Sequence, residues 1–196
     1  TLIFMEQRNK ISNILVTGGS GKLGRFILNS NLNKKNLLTP NRKELDITQK
    51  EQVINYFNKR EINAVIHCAA LTNMLECERD PIKAIAVNIT GTVNLVEEAL
   101  KKDIRFIYIS TDYVYPGEKG SYKENDPTIP FTFYGWTKLG GECAVKTIKN
   151  HCIIRTSLFD PKNVSFDTSP IDAFCSKITF SELAEAIFFL LENDFR

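Results

Sequence analysis

A tyrosine and a lysine stand four positions apart in the stretch FYGWTKLGGE, at Tyr134 and Lys138. On a helix this spacing places both side chains on one face, a single turn apart. A phenol can act as an acid, and a neighbouring ammonium group favours the phenolate and so lowers the pKa of that phenol. The spacing therefore suits an acid and the cation that tunes it. The alternative is that both residues belong to one turn of an ordinary amphipathic helix. The residues upstream are needed to distinguish these two interpretations.

A glycine-rich turn, TGGSGKLG, follows the apolar run NILVTGG and precedes the amphipathic segment KLGRFILNSN. Its spacing, G-x-x-G-x-x-G, is a variant of the dinucleotide-binding fingerprint. We predict that Gly18 allows the tight turn, that Gly21 lets the backbone approach a pyrophosphate, and that Gly24 lets helix and strand pack closely. The helix N-terminus would supply N–H donors for the anion. The predicted cofactor-binding residues of this turn are Gly18, Gly21, Lys22, Leu23 and Gly24.

The segment after the predicted second strand bears on the choice of cofactor. An NAD site normally places an acidic residue at the end of that strand, where it binds the hydroxyls of the adenosine ribose. Here the strand runs into TPNRKELD, in which Arg42 and Lys43 precede any carboxylate. Because these cations could meet a 2′-phosphate, we expect NADPH rather than NADH. The alternative is that both are simply solvent-exposed loop residues.

Apolar runs of strand length alternate with segments of helical period along the whole chain. The predicted strands are residues 13–19, 34–40, 64–70, 105–110 and 151–157. After the helix that follows the glycine turn, the predicted helices are residues 48–60, 80–102, 134–150 and 179–193. Strands that are apolar on both faces and separated by helices indicate a parallel sheet covered on both sides. The predicted fold is therefore α/β, a doubly wound Rossmann sheet.

Some residues mark where the predicted helices begin. Thr48 with Glu51 has the spacing of a capping box, as does Thr179 with Glu182. Pro81 stands in the first turn of its helix, a position that proline tolerates.

Composition limits the classes of protein to consider. The chain has 196 residues, of which 43% are hydrophobic and 24% charged, as in a soluble protein with one core. Its net charge of +2 creates no global field for nucleic acid or an anionic membrane. The five cysteines show no CxxC or metal-ligand spacing, so we expect no metal site. The run AIFFLL is too short to span a bilayer and no signal peptide is recognisable, so we expect a cytoplasmic protein.

Two long segments would leave the carboxyl edge of the sheet, where ligands bind in open α/β folds. We expect one NAD(P)-binding Rossmann domain over residues 1–196, with a reduced C-terminal substrate region. Its substrate-side elements would be mainly residues 112–133 and 158–196. His67 and His151 lie in or beside apolar runs, so we expect structural roles for them.

Several motifs in order resemble the extended short-chain dehydrogenase/reductase family, and within it the dTDP-4-dehydrorhamnose reductase group. The resemblance covers about residues 13–157. The motifs are TGGSGKLG, RKELDIT, VIHCAALTNMLECERDP, AVNITGTVNL, ISTDYVYPGEKGSYKENDPTIPFTFYGWTKLGGE and IIRTS. The fifth is the most specific to that group.

The resemblance implies reduction of a ketone, in which a hydride goes to carbon and a positioned acid gives a proton to oxygen. It implies a catalytic set of Thr111, Tyr134 and Lys138, with Tyr134 and Lys138 also touching the cofactor. It implies further cofactor contacts from Asp46 and Ile47 near the adenine and from Cys68, Ala69 and Ala70 after the third strand. It also implies that Asn88, a further predicted cofactor-binding residue, helps to hold the framework of the active site. Arg42 is the cofactor-binding residue predicted from the segment after the second strand. Asp112 and Tyr113 would shape the sugar pocket, although a packing role for Tyr113 is the alternative.

The resemblance is incomplete towards the C-terminus. The family has a substantial region there that recognises the nucleotide-sugar, and an intervening stretch of it is missing here. Leu158 replaces a usual tryptophan, and Trp136 replaces a residue that is commonly polar.

Three functions therefore stay open. The leading hypothesis is an NAD(P)H-dependent reductase of a 4-keto-6-deoxy nucleotide-sugar. A nucleotide-sugar epimerase or dehydratase would use the same set but needs further acids or bases. The third possibility is a non-catalytic NADP-binding regulatory protein, the role that the β subunit of methionine adenosyltransferase has with the same fold. A homodimer could form through helices 80–102 and 134–150.

Overall fold

Five parallel strands form the central sheet of this protein, for which a computed structural model describes residues 11–31, 35–162 and 175–193. In chain order the strands are β1 (Asn13–Thr17), β2 (Asn36–Leu38), β3 (Ala64–His67), β4 (Arg105–Thr111) and β5 (His151–Thr156). They lie side by side in the order β2-β1-β3-β4-β5. The doubly wound parallel sheet predicted from the sequence is confirmed. The order reverses between β1 and β3, which creates a crevice at their carboxyl ends.

The described residues form seven α-helices, six of them between strands and the last after them. They are α1 (Lys22–Asn29), α2 (Lys50–Asn58), α3 (Met74–Arg79), α4 (Pro81–Ile85), α5 (Gly91–Lys101), α6 (Phe133–Val145) and α7 (Phe180–Glu192). None of the described helices is long and apolar enough to cross a bilayer. Helix α3 was not predicted; the side chain of Asn73 caps it by accepting a hydrogen bond from the Glu76 N–H.

Both faces of the sheet are buried, as the uninterrupted apolar strands predicted. On one face Leu15 packs in a cluster with Val65 and Phe106, under helices α2 and α5. On the other face Ile14 packs in a second cluster with Ile187 of α7. Because successive side chains of a strand point to opposite faces, the central strands supply both clusters at once.

The long helix predicted over residues 80–102 is interrupted. Asp80 caps α4 by accepting a hydrogen bond from the Lys83 N–H, and Pro81 occupies the first turn as predicted. A π-helical turn, Ala86–Thr90, then separates α4 from α5. Turns of this kind widen the helix locally and are frequent at functional sites.

One predicted capping box is confirmed and the other is wrong. Thr179 and Glu182 form the predicted box at the start of α7. Helix α2 instead begins at Lys50, with no side-chain cap at Gln49. Thr48 does not serve as a cap because Asp46 competes for it, accepting hydrogen bonds from the Thr48 hydroxyl at 2.7 Å and the Thr48 N–H at 3.0 Å.

The C-terminal elements run from the carboxyl end of the sheet, beyond β5, to its amino end, where the last turn of α7 is anchored. Strands β6 (Leu158–Phe159) and β7 (Ile178–Thr179), which were not predicted, pair in parallel. The buried Arg105 Nη2 donates a hydrogen bond to the Leu190 carbonyl in the last turn of α7, at 2.9 Å. Much of the predicted loop 158–178 lies outside the described residues.

Candidate active site

A cavity of about 290 Å³ opens at the carboxyl ends of β1 and β3, where the strand order reverses. Its wall includes part of the glycine turn, the segment after β2 and the segment after β3. The predicted cofactor-binding residues that line it are Gly18, Gly21, Arg42, Asp46, Ile47, Cys68, Ala69 and Ala70. The sequence therefore predicted most of this wall.

The glycines of the turn are required for two different reasons. Gly18 has a φ of +70°, and a Cβ there would lie 2.8 Å from the Ala69 nitrogen. A Cβ at Gly24 would lie 2.5 Å from the Gly18 carbonyl oxygen, so Gly24 allows α1 to pack against the turn. At Gly21 a Cβ would meet only the Gly18 oxygen, at 3.1 Å, on the cavity side. Gly21 is thus the member of the turn that leaves room for a ligand.

Lys22 and Leu23 are not among the residues that line the cavity. The Leu23 side chain is buried in the apolar cluster beneath α7. The Lys22 ammonium forms an ion pair with Asp160 at 2.8 Å and lies 5.1 Å from the centroid of the Phe180 ring. Their side chains therefore pack the turn against the C-terminal elements, and only their backbone at the start of α1 remains available to an anion.

The two cations after β2 have different surroundings. Arg42 lines the cavity, and its Nε donates a hydrogen bond to Asp46 Oδ2 at 3.0 Å. Lys43 lines a separate surface groove with Tyr56 and Arg60. Asp46 also accepts hydrogen bonds from Thr48, and these bonds lower the pKa of its carboxyl although burial acts in the opposite direction. Arg42 is therefore held at the rim of the cavity by an ionised partner.

The predicted catalytic residues gather where β4 ends and α6 begins. Thr111 is the last residue of β4, and its side chain is close enough to the phenol of Tyr134 to lower the pKa of that phenol. Thr132 caps α6 by accepting a hydrogen bond from the Gly135 N–H, which fixes the turn that carries Tyr134. Lys138 follows one turn later and is 2% exposed.

The ammonium of Lys138 lies beside the cavity wall. Burial and then the charge of Lys138 lower the pKa of His67 at the end of β3. Burial raises the pKa of the next residue, Cys68, and the charge of Lys138 opposes that rise. Cys68 lines the cavity. Among the described residues, none accepts a hydrogen bond from Lys138 Nζ, which lies against the face of the Tyr108 ring.

The acid–base properties of the pair differ from the prediction. We predicted that the Lys138 cation would lower the pKa of the Tyr134 phenol. Burial instead raises the pKa of Tyr134 to about 12, while the neighbouring Thr111 side chain acts in the opposite direction. Burial also lowers the pKa of Lys138 to about 7. Desolvation favours the neutral form of each group, and it is the largest cause of both shifts.

Asn88, in the π-helical turn, joins three segments around the site. Its side-chain Oδ1 accepts a hydrogen bond from the Leu71 N–H at 2.8 Å, and Nδ2 donates to the Leu71 carbonyl at 3.0 Å. Nδ2 also donates to Thr137 Oγ1 at 2.9 Å, and Thr137 donates to the Tyr134 carbonyl at 2.8 Å. Asn88 therefore positions the helix turn of Tyr134 and the segment after β3 without lining the cavity itself.

His67 links the glycine turn to the π-helical turn through two threonines. Thr92 Oγ1 donates to the Asn88 carbonyl at 2.7 Å, so it accepts from His67 Nε2, which is 3.0 Å away. His67 Nδ1 then accepts a hydrogen bond from Thr17 Oγ1 at 2.7 Å. The ring is a neutral Nε2–H tautomer, and burial lowers its pKa to about 3. The sequence indicated only that this histidine is structural, not what it connects.

The predicted substrate-binding residues lie next to the phenol. Asp112 accepts a hydrogen bond from the Thr111 hydroxyl at 3.1 Å, and burial raises the pKa of its carboxyl. The Tyr113 ring lies 6.1 Å from the Tyr134 ring and 6.0 Å from the Phe131 ring, measured between centroids. Asp112 and Tyr113 thus flank one side of the site.

A buried ion pair behind α6 was not predicted. Glu142 lies one turn beyond Lys138 and is fully buried. Arg155 of β5 donates from Nη2 to Glu142 Oε2 at 2.7 Å, and Ser110 donates to Oε1 at 2.6 Å. Glu142 and Arg155 belong to the motifs YGWTKLGGE and IIRTS, but neither motif alone shows that these two residues form an ion pair.

Comparison with known proteins agrees with this geometry. The sequence profile of the RmlD substrate binding domain matches residues 12–168. The chain is 35% identical over 151 residues to the dTDP-4-dehydrorhamnose reductase of Aggregatibacter actinomycetemcomitans, covering 75% of this chain and 51% of that protein. It is 28% identical over 191 residues to methionine adenosyltransferase 2 subunit beta of Pongo abelii, covering 90% of this chain and 56% of that protein. The chain thus spans about half the length of these relatives.

Among solved structures, the dTDP-4-dehydrorhamnose reductase of Bacillus anthracis in complex with NADP superposes with a TM-score of 0.85 at 26% identity. The match covers 95% of this chain and 72% of that one. The Rossmann architecture, the motifs and the profile match agree on one assignment. The chain belongs to the RmlD substrate binding domain family, within the extended short-chain dehydrogenases/reductases.

Proposed function

We propose that this chain reduces the keto group of a 4-keto-6-deoxy nucleotide-sugar with NADPH, as in dTDP-rhamnose biosynthesis. The observation that carries the proposal is the grouping of Thr111 and Tyr134, with Lys138 one turn along, beside a cavity lined by the glycine turn. Such a grouping suits carbonyl reduction because an acid, a hydrogen-bond donor and a cation all lie near one point.

NADPH fits the residues that are present. The wall at Gly18 has no room for a side chain, the first N–H groups of α1 would bind an anion, and Arg42 stands at the rim where a 2′-phosphate would lie. When bound, NADPH would supply the hydride. The same wall would hold the adenosine end near Asp46 and Ile47.

The chain's own residues would handle the proton. Tyr134, whose pKa is raised to about 12 by burial, keeps its proton at neutral pH and can donate it to the carbonyl oxygen. Thr111 would donate a second hydrogen bond to the same oxygen by turning its one hydroxyl proton away from Asp112, which accepts it in this structure. Lys138, with a pKa lowered to about 7, would gain its proton most readily when anionic ligand groups enter the cavity, and would then favour the phenolate.

The direct test is consumption of NADPH with dTDP-4-keto-6-deoxy-L-mannose, followed at the absorbance band of the reduced nicotinamide. We expect turnover by the natural sequence and none by Tyr134→Phe. Tyr56→Phe is the matched control, because Tyr56 is a buried tyrosine on α2, outside the site. Turnover that survives in Tyr134→Phe would contradict the proposal.

The second candidate is a non-catalytic NADP-binding regulatory protein. It is favoured by the match over 90% of the chain to methionine adenosyltransferase 2 subunit beta. The two candidates separate in one experiment. NADPH binding measured by calorimetry, without turnover of any keto-sugar nucleotide, would favour the regulatory role. An epimerase or dehydratase would instead convert a nucleotide-sugar without net consumption of NADPH.

We further propose a cytoplasmic homodimer formed through the exposed sides of α4 and α6. Ile82 is 80% exposed on α4 and Trp136 is 52% exposed on α6. Large apolar side chains so exposed on adjacent helices suit an interface between subunits. Sedimentation equilibrium would test this state, with Ile82→Asp and Trp136→Asp expected to produce monomers.

A further inference from the structure

We propose that Arg155 is a positioning residue, which fixes the loop formed by residues 115–124 to the helix that carries Tyr134 and Lys138. The proposal rests on the proposed function for its catalytic meaning, because the loop matters to activity only if a substrate enters beside Tyr134. Its structural part stands on the contacts of the Arg155 guanidinium alone.

One side of the guanidinium binds helix α6. Nε donates to Glu142 Oε1 at 3.0 Å and Nη2 donates to Oε2 at 2.7 Å, a forked contact with the carboxylate. Glu142 is fully buried, and the Arg155 side chain is 13% exposed. Ser110, the residue before Thr111, donates to the same carboxylate. The pair therefore ties β4, β5 and α6 together directly behind the predicted catalytic residues.

The other side of the guanidinium binds the loop. Arg155 Nη1 donates to Tyr115 Oη at 2.7 Å and to the Glu124 carbonyl at 3.0 Å. These two residues stand at the two ends of the loop. Arg155 therefore closes the loop at its base, in a geometry that needs several donors in one plane.

The loop is folded upon itself above this closure. The Tyr115 ring stacks on the Tyr122 ring with centroids 4.9 Å apart, and the Tyr115 hydroxyl donates to the Lys123 carbonyl at 3.0 Å. Tyr122 Oη in turn accepts hydrogen bonds from the N–H groups of Glu118 and Lys119. These contacts hold the loop together as one unit, and Arg155 joins that unit to the sheet.

The loop leads directly into the wall of the site. A few residues beyond it, Phe131 contacts Tyr113, and Tyr113 contacts Tyr134. Release of the loop from Arg155 would therefore shift the aromatic side of the cleft. The cofactor cavity lies on the far side, between β1 and β3, and shares no lining residue with the loop. The hydrogen bonds from Arg155 to Tyr115 and Glu124 are called the Arg155 clamp below. Loss of this clamp should weaken substrate binding and leave NADPH binding intact.

Two variants distinguish the clamp from a role of Arg155 in merely neutralising the buried charge of Glu142. Arg155→Lys keeps a cation beside Glu142 but lacks the planar fork that also reaches the loop. Tyr115→Phe keeps the ion pair and the stacked ring but removes the hydroxyl. The matched control is Arg105→Lys, because Arg105 is a buried arginine of the adjacent strand that binds carbonyl and amide oxygens at the opposite end of the sheet.

The first readout is native-state trypsin cleavage after Lys119 and Lys123 of the loop, followed by mass spectrometry. We expect cleavage about tenfold faster in Arg155→Lys and Tyr115→Phe, the factor for loss of one charge-assisted hydrogen bond. The second readout is kinetic: KM for the keto-sugar should rise about tenfold with the NADPH dissociation constant unchanged. Arg105→Lys should lower the melting temperature but move neither readout.

Cleavage at the natural rate in both variants would overturn the proposal, as would equal acceleration in Arg105→Lys. A raised NADPH dissociation constant in Arg155→Lys would also overturn it, because the effect would then be general. If the natural sequence turns over no keto-sugar, the proposed function fails. The cleavage experiment then still tests whether Arg155 holds the loop.

Discussion

The ammonium nitrogen of Lys138 lies 4.0 Å from the centroid of the Tyr108 ring. Tyr108 is a fully buried residue of β4, and its hydroxyl donates to the Lys138 carbonyl at 3.3 Å. The face of an aromatic ring attracts a cation, but far less than water solvates one. The ring therefore fixes the direction of the lysine side chain while burial still disfavours its charge. Lys138 is held in place and is easily deprotonated.

This arrangement predicts how stability depends on pH. The pKa of Lys138 is about 7 in the folded protein and about 10.5 in the unfolded chain. Above pH 7 the unfolded state therefore binds more protons than the folded state, so stability should rise with pH. Lys138→Met removes this term. We expect the stability advantage of Lys138→Met over the natural sequence to shrink by up to about 1.4 kcal/mol per pH unit above 7.

The measurement is urea unfolding of the ligand-free proteins between pH 6 and pH 8.5, below the range in which tyrosine ionises. Lys146→Met, at an exposed lysine just after α6, is the matched control. A difference between Lys138→Met and the natural sequence that stays constant with pH would refute the depressed pKa.

His67 should make the protein sensitive to acid. Its pKa is about 3 in the folded protein and 6.5 in the unfolded chain, because the buried ring is held neutral between Thr17 and Thr92. As the pH falls below 6.5, the unfolded state gains a proton that the folded state cannot accept, so stability is lost. Between pH 6.5 and 5 this loss should amount to about 1.6 kcal/mol.

His67→Asn should lack this loss, since asparagine does not titrate and its amide oxygen can still accept the hydrogen bond from Thr17. The urea midpoints of unfolding at pH 6.5 and pH 5 would measure this difference in acid sensitivity. His151→Asn is the control, because His151 is a half-buried histidine at the start of β5. Equal acid sensitivity in His67→Asn and the natural sequence would contradict the buried neutral tautomer.

The glycine turn allows packing and ligand binding to be separated by two alanine substitutions. A Cβ at Gly24 would lie 2.5 Å from backbone atoms of Gly18 and Gly19, which cannot move without opening the turn. Gly24→Ala should therefore destabilise the fold by about 1–3 kcal/mol, the usual cost of overpacking. A Cβ at Gly21 meets a single oxygen at 3.1 Å. Gly21→Ala should keep the melting temperature within a few degrees and still weaken NADPH binding.

Thermal unfolding and calorimetric titration of both variants would check this pair of outcomes. If Gly21→Ala binds NADPH as tightly as the natural sequence, the pyrophosphate does not lie against Gly21. If Gly24→Ala is as stable as the natural sequence, the close contact between α1 and the turn is not a constraint.

The sequence predicted features that depend on neighbours along the chain. The glycine turn needs three glycines at fixed spacing, and the cap of α7 needs only Thr179 and Glu182. Both were recognisable because the interacting groups lie within one or two turns of each other. The alternation of apolar runs likewise predicted the parallel sheet, since burial on both faces leaves its mark on each strand separately.

Features that depend on distant residues were missed or mistaken. Arg155 and Tyr115 meet across 40 positions, and Asn88 meets Thr137 across 49. The π-helical turn around Asn88 depends on such contacts, so a continuous helix was predicted instead. The shift of the Tyr134 pKa was predicted in the wrong direction because burial, which dominates it, does not follow from the spacing of Tyr134 and Lys138.

Arg42 should decide the preference between NADPH and NADH. Its side chain is 72% exposed at the rim of the cavity, and its Nε is held by Asp46, which leaves the terminal nitrogens of the guanidinium for a phosphate. Arg42→Ala should weaken NADPH binding about 10- to 100-fold, the value of one charge-assisted contact, and leave NADH binding nearly unchanged. Titration of each reduced cofactor, followed by nicotinamide fluorescence, would measure both constants. Lys43→Ala is the matched control, because Lys43 lines a neighbouring groove and should have the smaller effect on NADPH. If Arg42→Ala weakens the binding of NADPH and NADH equally, then Arg42 shapes the cavity and does not bind the 2′-phosphate.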